Sequence, residues 1–122
     1  MSKENTNRKV NSINLFVYGT LRQGKSRNYV LKGLDYDVAS LPDYKKISPK
    51  ELGFPFIVKE KGAEVKGEVY YDLDTQLLGN IDAIEGEGNL YHRIEVKVIT
   101  DKGEEVSAYT YYPSKRLRRA YI

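Results

Sequence analysis

One stretch in the second half of the chain constrains the fold most, because it places a strand directly before a helix. Apolar and charged residues alternate over residues 63–73, which is typical of a half-buried β-strand. Asp72 or Asp74 can cap a helix after it, and Gly86 and Gly88 can end that helix. Between these limits apolar residues recur at helical spacing, namely Leu77, Leu78, Ile81 and Ile84. The stretch therefore predicts a strand–helix unit.

The remaining segments predict further strands and little additional helix. Residues 13–17 predict a buried strand, and residues 20–32 predict a loop that runs into a short helix. Residues 91–100 and 105–112 predict two more strands joined by a tight turn. Residues 35–58 contain three prolines, so we expect no long regular element there. Strands mixed irregularly with one or two short helices indicate the α+β class, not a doubly wound parallel sheet.

The length of 122 residues predicts one domain with short extensions at both ends. We expect a flexible polar N-terminal tail over residues 1–11, the folded domain over 12–113 and a basic C-terminal tail over 114–122. No apolar run approaches the ~20 residues that span a bilayer, and the polar N-terminus lacks the apolar stretch of a signal peptide. We therefore expect a cytoplasmic protein without a membrane partner.

The composition excludes several classes of site. The chain has no cysteine, and its one histidine is His92. Disulfides, thiolate zinc sites and cysteine nucleophiles are excluded, and a catalytic triad or a multi-histidine metal site would have only His92 to build on. We expect no metal. The net charge of +3 is mild, so nucleic acid is not the expected partner. An RNA-associated protein remains an alternative that rests on the basic C-terminal tail alone.

Glu85 is the carboxylate that fits least well with a purely structural role. Leu78, Ile81 and Glu85 are spaced i, i+3, i+7 and so share one face of the predicted helix. Desolvation on that face and the negative end of the helix dipole would both raise the pKa of Glu85, as a general base requires. In the alternative, the helix ends earlier and Glu85 lies in water. Asp82, off the apolar stripe, and Glu87, beyond the helix, are competing carboxylates.

A second segment, residues 18–22, follows the first predicted strand and contains a glycine. Gly19 lets the backbone turn sharply and leaves amide N–H groups open to a carboxylate or a developing oxyanion. An ordinary turn with Tyr18 packed on the core is the alternative. Tyr91 and Arg93 could close a pocket beside the helix end, or could simply alternate along a strand. The eleven tyrosines fit either a pocket, an interface or a core that lacks tryptophan.

Three stretches in this order carry a resemblance to a known family: residues 16–22, residues 65–70, and residues 81–86 followed by 91–93. Together they resemble the gamma-glutamylcyclotransferase-like (AIG2-like) family, over residues 13–112. The resemblance implies a compact mixed β-barrel-like sheet with one or two short helices and a single pocket. It places the family's glutamate at Glu85, as general acid/base.

The resemblance also implies an activity and its ligands. Active members cyclise a gamma-glutamyl amine or peptide to 5-oxoproline and release the amine, with no metal or organic cofactor. The loop that holds the substrate corresponds to Tyr18, Gly19, Thr20 and Leu21, beside Tyr91. The implied partner is a small gamma-glutamyl molecule. Neither the leaving amine nor the oligomeric state follows, and residues 35–56 could be a lid or a fixed wall of the pocket.

A non-catalytic binding module of the same fold, holding a small acidic metabolite, is the alternative function. The two readings share one structural expectation. Glu85 should be largely buried and should reach a cavity that also touches the amides near Gly19.

Overall fold

The computed structural model describes residues 13–121, and within them five strands close into a barrel. The strands are β1 (Ile13–Val17), β2 (Tyr36–Ile47), β3 (Phe56–Leu73), β4 (Tyr91–Thr100) and β5 (Glu105–Pro113). A 3-10 helix (Asn28–Leu31) and two α-helices, α1 (Thr75–Glu85) and α2 (Lys115–Tyr121), complete the described elements. The predicted α+β class with a barrel-like sheet is confirmed. The predicted polar tail over residues 1–11 lies outside the described residues.

The short strand β1 closes the barrel. The order around it is β1-β3-β2-β4-β5. β1 pairs antiparallel with β3 and parallel with β5, and Leu15 has a partner on each side, Tyr70 in β3 and Tyr109 in β5. The other neighbours are antiparallel, and β2 meets β4 only at residues 39–40.

Buried apolar side chains form two cores, one on each side of the barrel wall. The first core contains no helix residue, as expected for the barrel interior: Phe16, Tyr18, Ala39, Leu41, Ile57, Val65, Val69, Tyr71, Val96, Val98 and Ala108. The second joins the helices to the outside of the wall: Leu15, Val17, Leu21, Leu31, Phe56, Tyr70, Leu73, Leu78, Ile81, Tyr91, Tyr111 and Leu117. Because successive strand residues point to opposite faces, β1 contributes to both cores.

The helix predicted after the first long strand is α1, and both of its ends are fixed as its sequence indicates. Asp74 is the N-cap, and its Oδ1 accepts a hydrogen bond of 2.7 Å from the Leu77 N–H. Gly86 follows the last turn in the left-handed conformation, with φ of 70°. The N–H of Glu87 donates to the Asp82 carbonyl at 2.9 Å, which closes the helix end.

The expectation that residues 35–58 hold no long regular element is wrong. β2 is a strand of 12 residues within that segment. Pro42 lies at a shift of register against β3, next to Asp43, whose φ is 66°. A proline can be placed at such an irregularity because a ladder hydrogen bond is already missing there. The strand predicted from residue 63 likewise begins earlier, at Phe56, and continues through Gly62.

The residues predicted as a basic C-terminal tail include a short helix, α2. Its Leu117 is buried in the second core, and the N–H of Leu117 donates to Ser114 Oγ at 3.2 Å. The guanidinium of Arg118 lies over the Tyr112 ring, 5.2 Å from its centroid. Leu117, together with the partly buried Tyr121, thus anchors a segment whose many charges suggest that it is solvated. No helix within residues 13–121 is long and apolar enough to cross a membrane.

Gly67 lies where two neighbouring strands come closest. A Cβ atom added there would lie 2.3 Å from the Val17 carbonyl oxygen and 2.7 Å from Cζ of the Phe16 ring. We expect Gly67→Ala to lower the free energy of unfolding by about 3 kcal/mol, because the rigid strand cannot move aside. Urea denaturation measures the loss.

Gly79→Ala is the matched control. Gly79 is an exposed glycine of α1 with no atom within 4 Å of an added Cβ. Alanine there should stabilise the protein by about 0.5–1 kcal/mol, because glycine is a poor helix former. Equal midpoints for the two variants would contradict the close approach at Gly67.

Candidate active site

A cavity of about 250 Å³ opens where the loop after β1 meets the end of α1. Its walls come from segments that are far apart in the sequence. The lining residues are 16–21, Ser26, Arg27, 53–55, Ile84, Glu85, Leu90, Tyr91 and Tyr111. All six predicted site residues are among them: Glu85, Tyr18, Gly19, Thr20, Leu21 and Tyr91. The fold therefore brings the predicted residues together around one space.

Glu85 is the last residue of α1, and its side chain is only 17% exposed. The alternative in which the helix ends before Glu85 does not hold, and the expected burial next to a cavity that also touches Gly19 is observed. Burial raises the pKa of the Glu85 carboxyl, and the positive charge of Arg27 partly opposes that rise. Arg27 Nη1 lies 3.9 Å from Glu85 Oε2.

The two competing carboxylates have other roles. Asp82 accepts a hydrogen bond of 2.6 Å from the Tyr111 hydroxyl and forms an ion pair with Arg93. Glu87 is exposed, and its Oε2 accepts from the Arg93 N–H at 3.3 Å. Arg93 thus pairs with protein carboxylates and does not line the cavity. Among the described lining residues, Glu85 is the one carboxylate.

The loop over residues 18–21 has its carbonyl groups bound by the protein. Each of these carbonyls accepts one hydrogen bond of 2.8–3.1 Å: Tyr18 from Lys46 Nζ, Gly19 from Arg22 Nε, Thr20 from the Arg27 N–H, and Leu21 from Asn28 Nδ2. No hydrogen bond recorded within residues 13–121 uses the N–H groups of Gly19, Thr20 or Leu21 as donors. Because Gly19, Thr20 and Leu21 all line the cavity, their amides are donors available beside it for an anionic or carbonyl ligand group.

The predicted tyrosines build the walls. The Tyr18 hydroxyl donates to the Tyr111 carbonyl and the Tyr91 hydroxyl donates to the Pro55 carbonyl, both at 2.7 Å. Burial raises the pKa of both hydroxyls, so they keep their protons at neutral pH. Their hydroxyls therefore hold neighbouring chain segments together beside the cavity.

Residues 53–55 form one wall of the cavity and contact two other parts of it. Tyr91 holds Pro55 through its carbonyl, and the Phe54 ring lies 6.0 Å from the Tyr91 ring. On the other side, a Cβ atom at Gly19 would lie 3.3 Å from Pro55 Cγ. The wall and the loop after β1 are thus in contact, and a side chain larger than glycine at position 19 would press on Pro55.

Three polar lining residues were not predicted from the sequence, namely Ser26, Arg27 and Tyr111. Arg27 lies in the irregular segment after Gly24, where no periodicity marks a side chain as facing inward. Tyr111 lies in β5, and its strand pattern shows that it is buried but not what it faces. No group of three His, Cys, Asp or Glu side chains in the described part of the chain is arranged to hold a metal ion.

The model of the gamma-glutamyl cyclotransferase, AIG2-like family matches residues 15–121 of the chain. The protein belongs to this family. The match extends through α2, so it includes most of the basic C-terminal segment. The resemblance seen in the sequence is confirmed.

Curated relatives agree with this assignment. A protein of Methanocaldococcus jannaschii, named provisionally as a gamma-glutamylcyclotransferase, is 33% identical over 107 residues, covering 80% of this chain and 82% of its own. Gamma-glutamylaminecyclotransferase A of Danio rerio is 31% identical over 113 residues, covering 84% and 70%. A protein of Arabidopsis thaliana solved in solution superposes with a TM-score of 0.75 at 28% identity, covering 88% of this chain and 72% of its own.

The raised pKa of Glu85 predicts how its removal affects stability. The folded protein binds this proton more tightly than the unfolded chain does, so stability falls as the pH rises from the unfolded pKa through the folded one. Above that window the buried charge destabilises the fold. We expect Glu85→Gln to melt a few degrees above the wild type at about pH 7.5, with a smaller difference at about pH 4. Thermal melts at both pH values measure this.

Glu87→Gln is the control for this comparison, because Glu87 is exposed and two residues away. It should change the melting temperature little at either pH. A Glu85→Gln variant that is less stable than the wild type at the higher pH would show that the Glu85 charge is compensated in the folded protein.

Proposed function

We propose that the protein is a gamma-glutamylcyclotransferase that cyclises a gamma-glutamyl amine or peptide to 5-oxoproline and releases the amine. The observation that carries the proposal is the largely buried carboxylate of Glu85, which shares a cavity with Gly19, Thr20 and Leu21, whose amides donate to no group recorded within residues 13–121. Membership of the family supports the same reaction class.

Glu85 has the properties that the first proton transfer requires. The α-amino group of the substrate is an ammonium at neutral pH and cannot attack until it loses a proton. Burial raises the pKa of Glu85 towards that of the group it must deprotonate, which improves a general base. The freed amine then attacks the γ-carbonyl carbon of the same molecule, and a five-membered ring forms.

The same side chain can complete the reaction. Once protonated, Glu85 can hand the proton to the leaving nitrogen as the bond between that nitrogen and the γ-carbonyl carbon breaks. The amides of the 18–21 loop hold the substrate so that amine and carbonyl stay in reacting distance, which makes the attack effectively intramolecular in a fixed conformation. No protein nucleophile is needed, in agreement with a chain without cysteine.

The decisive experiment measures 5-oxoproline release from gamma-glutamyl amino acids, glutathione and gamma-glutamyl-lysine. We expect release from at least one of them, and a loss of at least about a hundredfold in kcat for Glu85→Gln, which keeps the shape of the side chain but cannot accept a proton. Glu87→Gln should retain activity. No release from any substrate by the folded wild type, with a ligand still bound, would favour the binding module instead.

The pH profile gives a separate prediction. If Glu85 is the base, the rate should fall as the pH drops through its pKa. The midpoint of that acidic limb should lie above the value of about 4.3 of an unperturbed glutamate, because Glu85 is buried. Initial rates across a pH series measure the limb. A rate that stays constant down to about pH 4 would exclude a carboxylate of raised pKa as the base.

A further inference from the structure

Two side chains of opposite charge lie next to each other in the cavity lining without a hydrogen bond between them. Arg27 and Glu85 both line it, and Arg27 Nη1 lies 3.9 Å from Glu85 Oε2. That distance permits attraction but exceeds the length of an N–H···O hydrogen bond. The two side chains therefore do not form the bidentate pair of a closed arginine–carboxylate bridge.

The guanidinium of Arg27 has unused donors although its backbone is held. The Arg27 N–H donates to the Thr20 carbonyl at 2.9 Å, which fixes the residue beside the 18–21 loop. Of the hydrogen bonds recorded for the described residues, none involves the Arg27 side chain. Two other arginines nearby are committed, Arg22 to the Gly19 carbonyl and Arg93 to Asp82. Arg27 is 48% exposed, so a ligand that enters the cavity can reach it.

A gamma-glutamyl group carries the complementary charges. Its α-ammonium and α-carboxylate are bonded to the same carbon atom, so an ammonium that donates to Glu85 brings the carboxylate within a few ångströms. Arg27 is the one cationic residue among the described lining residues, and the amides of Gly19, Thr20 and Leu21 supply further donors. The planar fork of a guanidinium matches the two oxygens of a carboxylate.

We propose that Arg27 binds the α-carboxylate of the gamma-glutamyl group, so that Arg27 and Glu85 together recognise an intact α-amino-acid head. The inference rests on the proposed function only for the gamma-glutamyl ligand, and it does not require turnover. Arg27 is then a specificity-determining residue, which selects ligands that carry both the amine and the carboxylate.

The test compares two small ligands by calorimetry. L-glutamine is the simplest gamma-glutamyl amide, and 4-aminobutanamide is the same molecule without its α-carboxylate. We expect the wild type to bind L-glutamine roughly ten- to a hundredfold more tightly, as for a hydrogen-bonded charge pair. Arg27→Met should lose most of this preference, because only the amides of the 18–21 loop remain to bind the carboxylate. Arg27→Lys should keep part of the preference, because it has the charge but not the fork.

The ratio of the dissociation constants of the two ligands is measured within each variant, since removing Arg27 also changes the electrostatics at Glu85. Lys25→Met is the matched control. It removes a positive charge from the same loop but not from the cavity lining, and it should keep the wild-type preference.

The outcomes separate this inference from the proposed reaction. A wild type without preference for L-glutamine, or an Arg27→Met variant that keeps the preference, overturns the role of Arg27 even if 5-oxoproline is released. A preference that depends on Arg27 supports the role even if no substrate is turned over, in which case the cyclotransferase proposal fails alone.

Discussion

Closure of the barrel through β1 is the constraint on which the cavity depends. This strand of five residues pairs with β3 on one side and β5 on the other. The approach to β3 is possible because Gly67 has no side chain where the Phe16 ring and the Val17 carbonyl come closest. The 18–21 loop continues directly from β1, so its place opposite α1 follows from the same closure.

The well-anchored helix α1 carries a carboxylate, that of Glu85, whose burial destabilises the fold. A carboxylate that loses most of its hydration at the end of a helix opposes folding. Here α1 is fixed at both ends, by Asp74 and by the left-handed Gly86, and it is anchored by the buried Leu78 and Ile81. These caps and contacts oppose unwinding of the last turn, which would return the Glu85 carboxylate to water. Such local conflict on a rigid scaffold is common where a side chain serves function more than stability.

The elements that the sequence predicts well are those whose signals are local. The Asp74 cap, the apolar stripe of α1 and the turn between β4 and β5 involve residues only a few positions apart. β2 could not be predicted, since Pro42 is tolerated only because of how the strand pairs with β3. The helix α2 packs through Leu117 and the partly buried Tyr121, too few apolar residues to stand out among its charges. Neither case leaves a periodic pattern in the sequence.

In the candidate site, too, the residues with a local sequence signal could be predicted and those without one could not. Glu85 is marked by its position on an apolar helix face, and the 18–21 loop by a glycine directly after a buried strand. Tyr111 and Arg27 reach the cavity only because the barrel closes and the loop after β1 folds back. The sequence therefore predicts the chemistry of the centre better than the groups that surround it.

The wall over residues 53–55 belongs to the connection between β2 and β3, and much of that connection is exposed. The two strands are already paired at Ile47 and Phe56, where the connection leaves the sheet. Insertions or exchanges between these points would reshape one side of the cavity while the strand ladder stays intact. Sequence changes in this one loop can thus alter which ligands the cavity admits without changing the fold.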